Sequence, residues 1–337
     1  MCAIKKGESV LIIANPETSA IAQDLYTASL DAGASPSLMF QPKKSSLDMA
    51  EKAVVGAIKS EPDVIFSISA NKLGKDEEAL ANPYTDAAGQ KYSNIFDYLL
   101  SGKKSVRAVW TPGLTQDMYE RTVNIDYRLL SERCKKICSL FENAKSVKVT
   151  SPAGTDFTVC VEGRKALVDD GDFTKPGTGG NVPSGEVFIS PVVGKSSGVI
   201  VFDGSMTFSD GDAMLETPIR ATVKDGFVTD IQGDKEAKRL LKDITAAEKQ
   251  SATDEYRRNA RNIGELGIGL NPAANITGNM LEDEKAFRTC HFAIGENYDG
   301  DAPALIHFDG IVCSPTIEIE YPDGTSFVLL EKGDLKI

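Results

Sequence analysis

The sequence predicts an α/β protein in two parts: an N-terminal domain on a parallel sheet with flanking helices, and a C-terminal α+β domain, largely antiparallel. Three observations lead there. Up to Trp110, short apolar runs alternate with helical patterns of roughly 10–15 residues, the signature of βαβ units. From Ser146 the texture changes to short strands separated by Gly-rich turns. The only two histidines, His291 and His307, both fall within the single stretch Glu265–Asp309, among acidic residues and glycines.

In order, Ser9–Ala14 (SVLIIA) reads as a buried strand, and Thr18–Asp31 as a helix with Gly33 as its stop. SPSLMF is a second strand, and Ser46–Lys59 an amphipathic helix opened by a serine cap. Asp63–Ser69 and Ser105–Trp110 supply two further strands. The turn after the first strand, NPETSA, has neither GxGxxG nor GxxxxGK[ST], so the α/β texture brings no nucleotide motif. Ile125–Ala144 reads as a long helix with Leu129, Leu130, Cys134, Ile137, Cys138 and Phe141 on one face. A domain boundary is placed near residue 145, giving domains 1–145 and 146–337.

In the second part, SPAGTD and EYPDGTSF are turns between strands, and Lys235–Gln250 and Thr253–Arg261 are helical inserts. Gly177–Gly180 (GTGG) lacks the lysine of a phosphate cradle and is expected to be a loop approaching the active site.

Composition narrows the function. Lys+Arg of 37 against Asp+Glu of 49 gives a net charge of −12, which repels nucleic acid and anionic membranes. No apolar run approaches the roughly 20 residues of a membrane span, and MCAIKKGESVLIIANPE reads as a first strand instead of a signal peptide. A cytoplasmic location is expected by default. The six cysteines show no CxxC or finger spacing and are expected to be reduced and buried. Cys290 beside His291 is a poor nucleophile candidate, because the histidine has a better use.

That use is metal binding. In an extended chain residues i and i+2 share a face, so HFD presents His307 and Asp309 together. Imidazole with carboxylate suits zinc, cobalt, manganese or iron. Glu186 and Glu265 each lie in Gly-rich approaches to apolar strands. Two glutamates, two histidines and an aspartate could hold two dications, whose charge three carboxylates and a bridging hydroxide bring close to neutral. Such a pair is a recurrent solution for hydrolysis.

The order NVPSGEVF, GELGIGLNP, DE-x6-CH-x-AIG and HxD resembles the thermophilic metallo-aminopeptidase family, typified by aminopeptidases T and S. The resemblance covers essentially the whole second part. It implies that Glu186, Glu265, His291, His307 and Asp309 are metal ligands, with Glu265 close to the attacking water as general base. It also implies that Tyr298 donates a hydrogen bond to the developing oxyanion. The implied activity is removal of the N-terminal residue of a peptide, with two zinc, cobalt or manganese ions in a homodimer. The chain is shorter than typical members, in the N-terminal domain and linker. A short relative with the same HxD ending, 2,5-dihydroxypyridine 5,6-dioxygenase, implies the alternative: a single iron(II) at His291, His307 and Asp309, used for ring cleavage. A purely structural metal, or an α/β binding protein, are further alternatives.

Overall fold

The structure, a computed structural model, describes residues 1–45 and 48–337. The chain forms two compact units, Met1–Ser131 with Asp169–Ser184, and Glu132–Val168 with Gly185–Ile337. A single boundary near residue 145 does not capture this division, because the segment Asp169–Ser184 returns to the first unit.

The first unit holds a five-stranded sheet of β1 (Ser9–Ala14), β2 (Ser35–Phe40), β3 (Val64–Ile68), β4 (Arg107–Trp110) and β5 (Gly179–Asn181), ordered β5-β4-β3-β1-β2. Every pairing is parallel. β1 and β3 are apolar because they are buried on both faces, whereas β2 sits at the edge, where Pro36 costs no ladder bond. The predicted first helix is α1 (Ser19–Asp31). The second, α2, runs only from Lys52 to Lys59 and has Glu51 at its cap. Ser46 lies outside the described residues, but bridges from Lys44 to Lys72 and from Met49 to Lys75 show the chain extended on either side of it.

Only the first half of the GTGG segment is a loop, since Gly177 lies in a turn whereas Gly179 and Gly180 belong to β5. A Cβ on Gly179 would collide with the Ala108 carbonyl, and one on Gly180 would meet the Phe173 ring at 2.7 Å. These glycines serve close backbone packing. The long helix α3 (Tyr127–Leu140) buries Leu130, Cys134 and Ile137, but Leu129 is exposed because the buried stripe runs one residue behind it.

The second unit contains two antiparallel sheets. An eight-stranded sheet runs Phe227–Gln232, Ile219–Lys224, Ser197–Phe202, Asp156–Cys160, Ser146–Thr150, Thr316–Glu320, Ser326–Glu331 and Asp334–Leu335. The SPAGTD and YPDGTS turns close two of its hairpins, as predicted. The second sheet comprises β6 (Glu186–Ile189), β7 (Ser205–Phe208), β8 (Gly211–Met214), β9 (Ile263–Gly269), β10 (Thr289–Gly295) and β11 (His307–Cys313). Its order is β8-β7-β11-β10-β9-β6, with Leu167–Asp169 at the far edge. Phe157 of the eight-stranded sheet meets Phe292 of β10 edge-to-face at 5.3 Å, and both rings are fully buried. Truncating Phe292 would cost about 3–5 kcal/mol. The helical inserts are α4 (Lys235–Gln250) and α5 (Asp254–Asn259); α6 (Met280–Asp283) precedes β10.

Candidate metal centre

The period of two along a strand assembles the site. Glu186 opens β6 opposite Gly269; Glu265 of β9 faces Ala293 of β10; His291 lies between Gly267 and Ile311; Asp309 of β11 faces Ala293; and His307 faces Gly295. All five polar residues therefore project from one face of four adjacent strands, while Phe292 and Ile294 point into the core behind. The small residues are part of the design. Ala293 leaves room between two carboxylates, and a Cβ on Gly267 would collide with the His291 ring.

The side chains converge as the sequence predicts. Glu265 lies between the imidazoles, with Oε1 3.2 Å from His291 Nε2 and Oε2 3.3 Å from His307 Nε2. His307 Nε2 is also 3.4 Å from Asp309 Oδ1, and His291 Nε2 is 3.5 Å from Glu186 Oε2. Two groups with metal-ligand spacing result: Glu265, His307 and Asp309, and Glu186, Glu284 and His291. His291 thus falls in a different group from His307 and Asp309, unlike the two-histidine, one-carboxylate grouping considered above.

Electrostatics hold the metal-free site together. Burial alone would raise the Glu265 pKa, but hydrogen bonds from both histidines overrule it and hold the group at about 2. Burial likewise opposes protonation of His291, yet the hydrogen bond and charge of Glu265 lift it to about 9. His307 is raised well above its ordinary value against burial, chiefly by the charge of Asp309.

Two functional residues have no role assigned by the sequence reading. Lys285 is fully buried, and its Nζ lies 2.5 Å from both Glu186 Oε1 and Glu284 Oε1. Burial raises Glu284 first, Lys285 opposes it and Glu186 adds to it, leaving the carboxyl at about 8. The charged triplet Asp283-Glu284-Lys285 just ahead of an apolar strand was the available signal. Asp283 itself is structural: it accepts from Ser205 Oγ at 2.6 Å and from the Thr277 amide at 2.7 Å.

The residues fit a divalent ion. Asp309 Oδ1 and Glu186 Oε2 are buried without a hydrogen-bond partner, which is costly for polar atoms unless something else satisfies them. His307 Nδ1 donates to the Glu296 carbonyl at 2.8 Å, fixing the tautomer with Nε2 turned to the site, as metal-bound histidines require. His291 has no such support.

Tyr298 borders the site through its ring. Its ring is 60% exposed and stands edge-on at 5.2 Å to both His307 and Phe188. Cys290, next to His291 on β10, points to the opposite face; burial pushes its thiol pKa far up, which leaves it inert. No helix among the described residues is long and apolar enough to cross a membrane.

The solved structures that this chain resembles include two of different activity on the same scaffold. The structure of 2,5-dihydroxypyridine dioxygenase from Pseudomonas putida KT2440 superposes with a TM-score of 0.71 at 18% identity, covering 99% of this chain and 93% of that one. AmpT from Thermus thermophilus gives the same TM-score and identity, covering 100% of this chain and 96% of that one. At such identity both speak for the fold alone. No curated protein sequence matches. The family model that matches, over residues 116–319, is described as NicX: 2,5-dihydroxypyridine 5,6-dioxygenase. The aminopeptidase resemblance thus holds at the level of fold, and the candidate metal centre, Glu186 to Asp309, lies within the dioxygenase match. The chain belongs to the 2,5-dihydroxypyridine 5,6-dioxygenase (NicX) family, on a fold it shares with aminopeptidase T.

Proposed function

We propose that the chain is a ring-cleaving dioxygenase that works with one iron(II) ion and takes a hydroxylated aromatic or heteroaromatic ring such as 2,5-dihydroxypyridine. The observation that carries this reading is Lys285. Its buried ammonium already pairs with Glu186 and donates to Glu284, the carboxyl groups a second ion would need. One set remains open, formed by Glu265, His307 and Asp309, with His291 across Glu265. Imidazole and carboxylate donors of this kind suit iron(II).

A bound iron(II) supplies a site for an aromatic hydroxyl and the electrons that activate dioxygen. The chain's residues do the rest. His291 Nε2 and Glu265 Oε1, 3.2 Å apart, are placed to take up the proton of the substrate hydroxyl. Tyr298 and Phe188 give a flat substrate an aromatic wall beside His307. Net, both atoms of O₂ enter the product and one ring C–C bond breaks, so no external reductant is consumed.

The direct test is oxygen uptake by iron(II)-loaded protein with 2,5-dihydroxypyridine. Stoichiometric uptake with loss of the ring chromophore supports the reading; release of amino acids from peptides without uptake contradicts it.

A second reading, the two-metal aminopeptidase, has one observation in its favour: Glu265 touches both histidines and so joins the two ligand groups as a bridging carboxylate would. It requires the Lys285 ammonium to leave Glu186 and Glu284 when the second ion enters.

A further inference from the structure

A cavity of about 430 Å³ lies in the first unit and is lined only by residues of that unit. Its floor is the carboxyl end of two neighbouring parallel strands, β3 and β4, the side on which open α/β sheets receive ligands. The volume suits a small molecule.

The lining is specific in chemistry. Phe96 and Trp110 form an edge-to-face pair at 5.8 Å on one wall. Two lysines, Lys72 and Lys75, reach the cavity from the segment after β3, and neither makes an ion pair among the described residues. A single carboxylate, Asp97, also lines it, so the balance of charge there is positive. Ser67 and Ser69 share one hydrogen bond of 3.1 Å between their hydroxyls. Thr111 Oγ1 is buried and has no hydrogen-bond partner among the described residues. A buried hydroxyl without a partner is costly to maintain in an empty fold.

We propose that this cavity binds a small aromatic carboxylate, its ring against Phe96 and Trp110 and its anion toward Lys72 and Lys75. The hydroxyls at the carboxyl ends of β3 and β4 supply the remaining hydrogen bonds. Nothing in this assignment depends on the metal or on the proposed dioxygenase activity.

Trp110 is the only tryptophan of the chain, so its fluorescence reports on this cavity alone. Benzoate titrated into the full-length protein is expected to change Trp110 emission saturably. Benzamide, of the same shape without the charge, is expected to bind about tenfold more weakly, the size of a lost charge-assisted contact. The double variant Lys72→Gln, Lys75→Gln should weaken benzoate by about the same factor and leave benzamide unchanged. Lys72 is exposed and Lys75 only partly buried, and circular dichroism checks that the double variant folds. His307→Ala should bind benzoate as the parent does. Equal affinity for benzoate and benzamide, no saturable change up to ~10 mM, or loss of binding in His307→Ala would each overturn the proposal.

Discussion

The ammonium of Lys285 lies 2.5 Å from the carboxylate of Glu186, and the lysine is fully buried. A buried ion pair adds little net stability, but removing one partner strands the other charge. Lys285→Met is therefore expected to lower the stability of the metal-free protein by about 3–5 kcal/mol. It also frees Glu186, Glu284 and His291, so the variant is expected to take up a second divalent ion and regain stability as it does. Denaturant melts with and without manganese, together with elemental analysis, read both effects.

His307→Ala and Asp309→Ala remove donors from the open group, and each is expected to abolish stoichiometric metal binding while leaving the fold intact. His307 is only half-buried and begins its strand, so its loss opens no large cavity. Equilibrium dialysis against iron(II) or manganese measures the loss.

Metal affinity should depend on pH, with a sign fixed by the histidines. Both imidazoles have pKa values raised in the metal-free protein, His291 to about 9, so near neutrality an entering ion must displace protons. Affinity is expected to rise with pH by up to about tenfold per unit for each proton displaced, and to level off above about 9 for the His291 contribution. His291→Ala should flatten the slope. Chelator competition between pH 6 and 9 tests it, these limits being roughly those of histidine titration.

Gly267→Ala places a methyl group against the His291 ring. The expected outcome is a displaced imidazole, at least tenfold weaker metal binding, and a stability cost of about 1–3 kcal/mol for overpacking. Thr111→Val, by contrast, removes a hydroxyl that has no partner and should stabilise the protein by roughly 1 kcal/mol. A thermal melt of each variant separates the two cases.

Much of this was legible in the residues. Alternation alone put His307 and Asp309 side by side, and the apolar runs of β1 and β3 announced a parallel sheet. The convergence of Glu186, Glu265 and His291 depends on strand order β11-β10-β9-β6, which periodicity does not encode; the ordered motifs supplied it by resemblance. Lys285 is not legible as a site residue, because a lysine beside a glutamate normally reads as a solvated pair and only the fold buries it. Leu129 was misplaced by one position on its helix. The glycines of β5 looked like a loop because close strand packing and a free turn favour the same residue.

The most direct test of the central claim is the number and identity of ions bound per chain after anaerobic reconstitution with an equimolar mixture of iron(II), zinc, cobalt and manganese. The account expects one ion per chain, an iron(II) that supports oxygen uptake, and a second only in Lys285→Met. Two ions per chain in the parent protein, with peptide hydrolysis and no oxygen uptake, would contradict it.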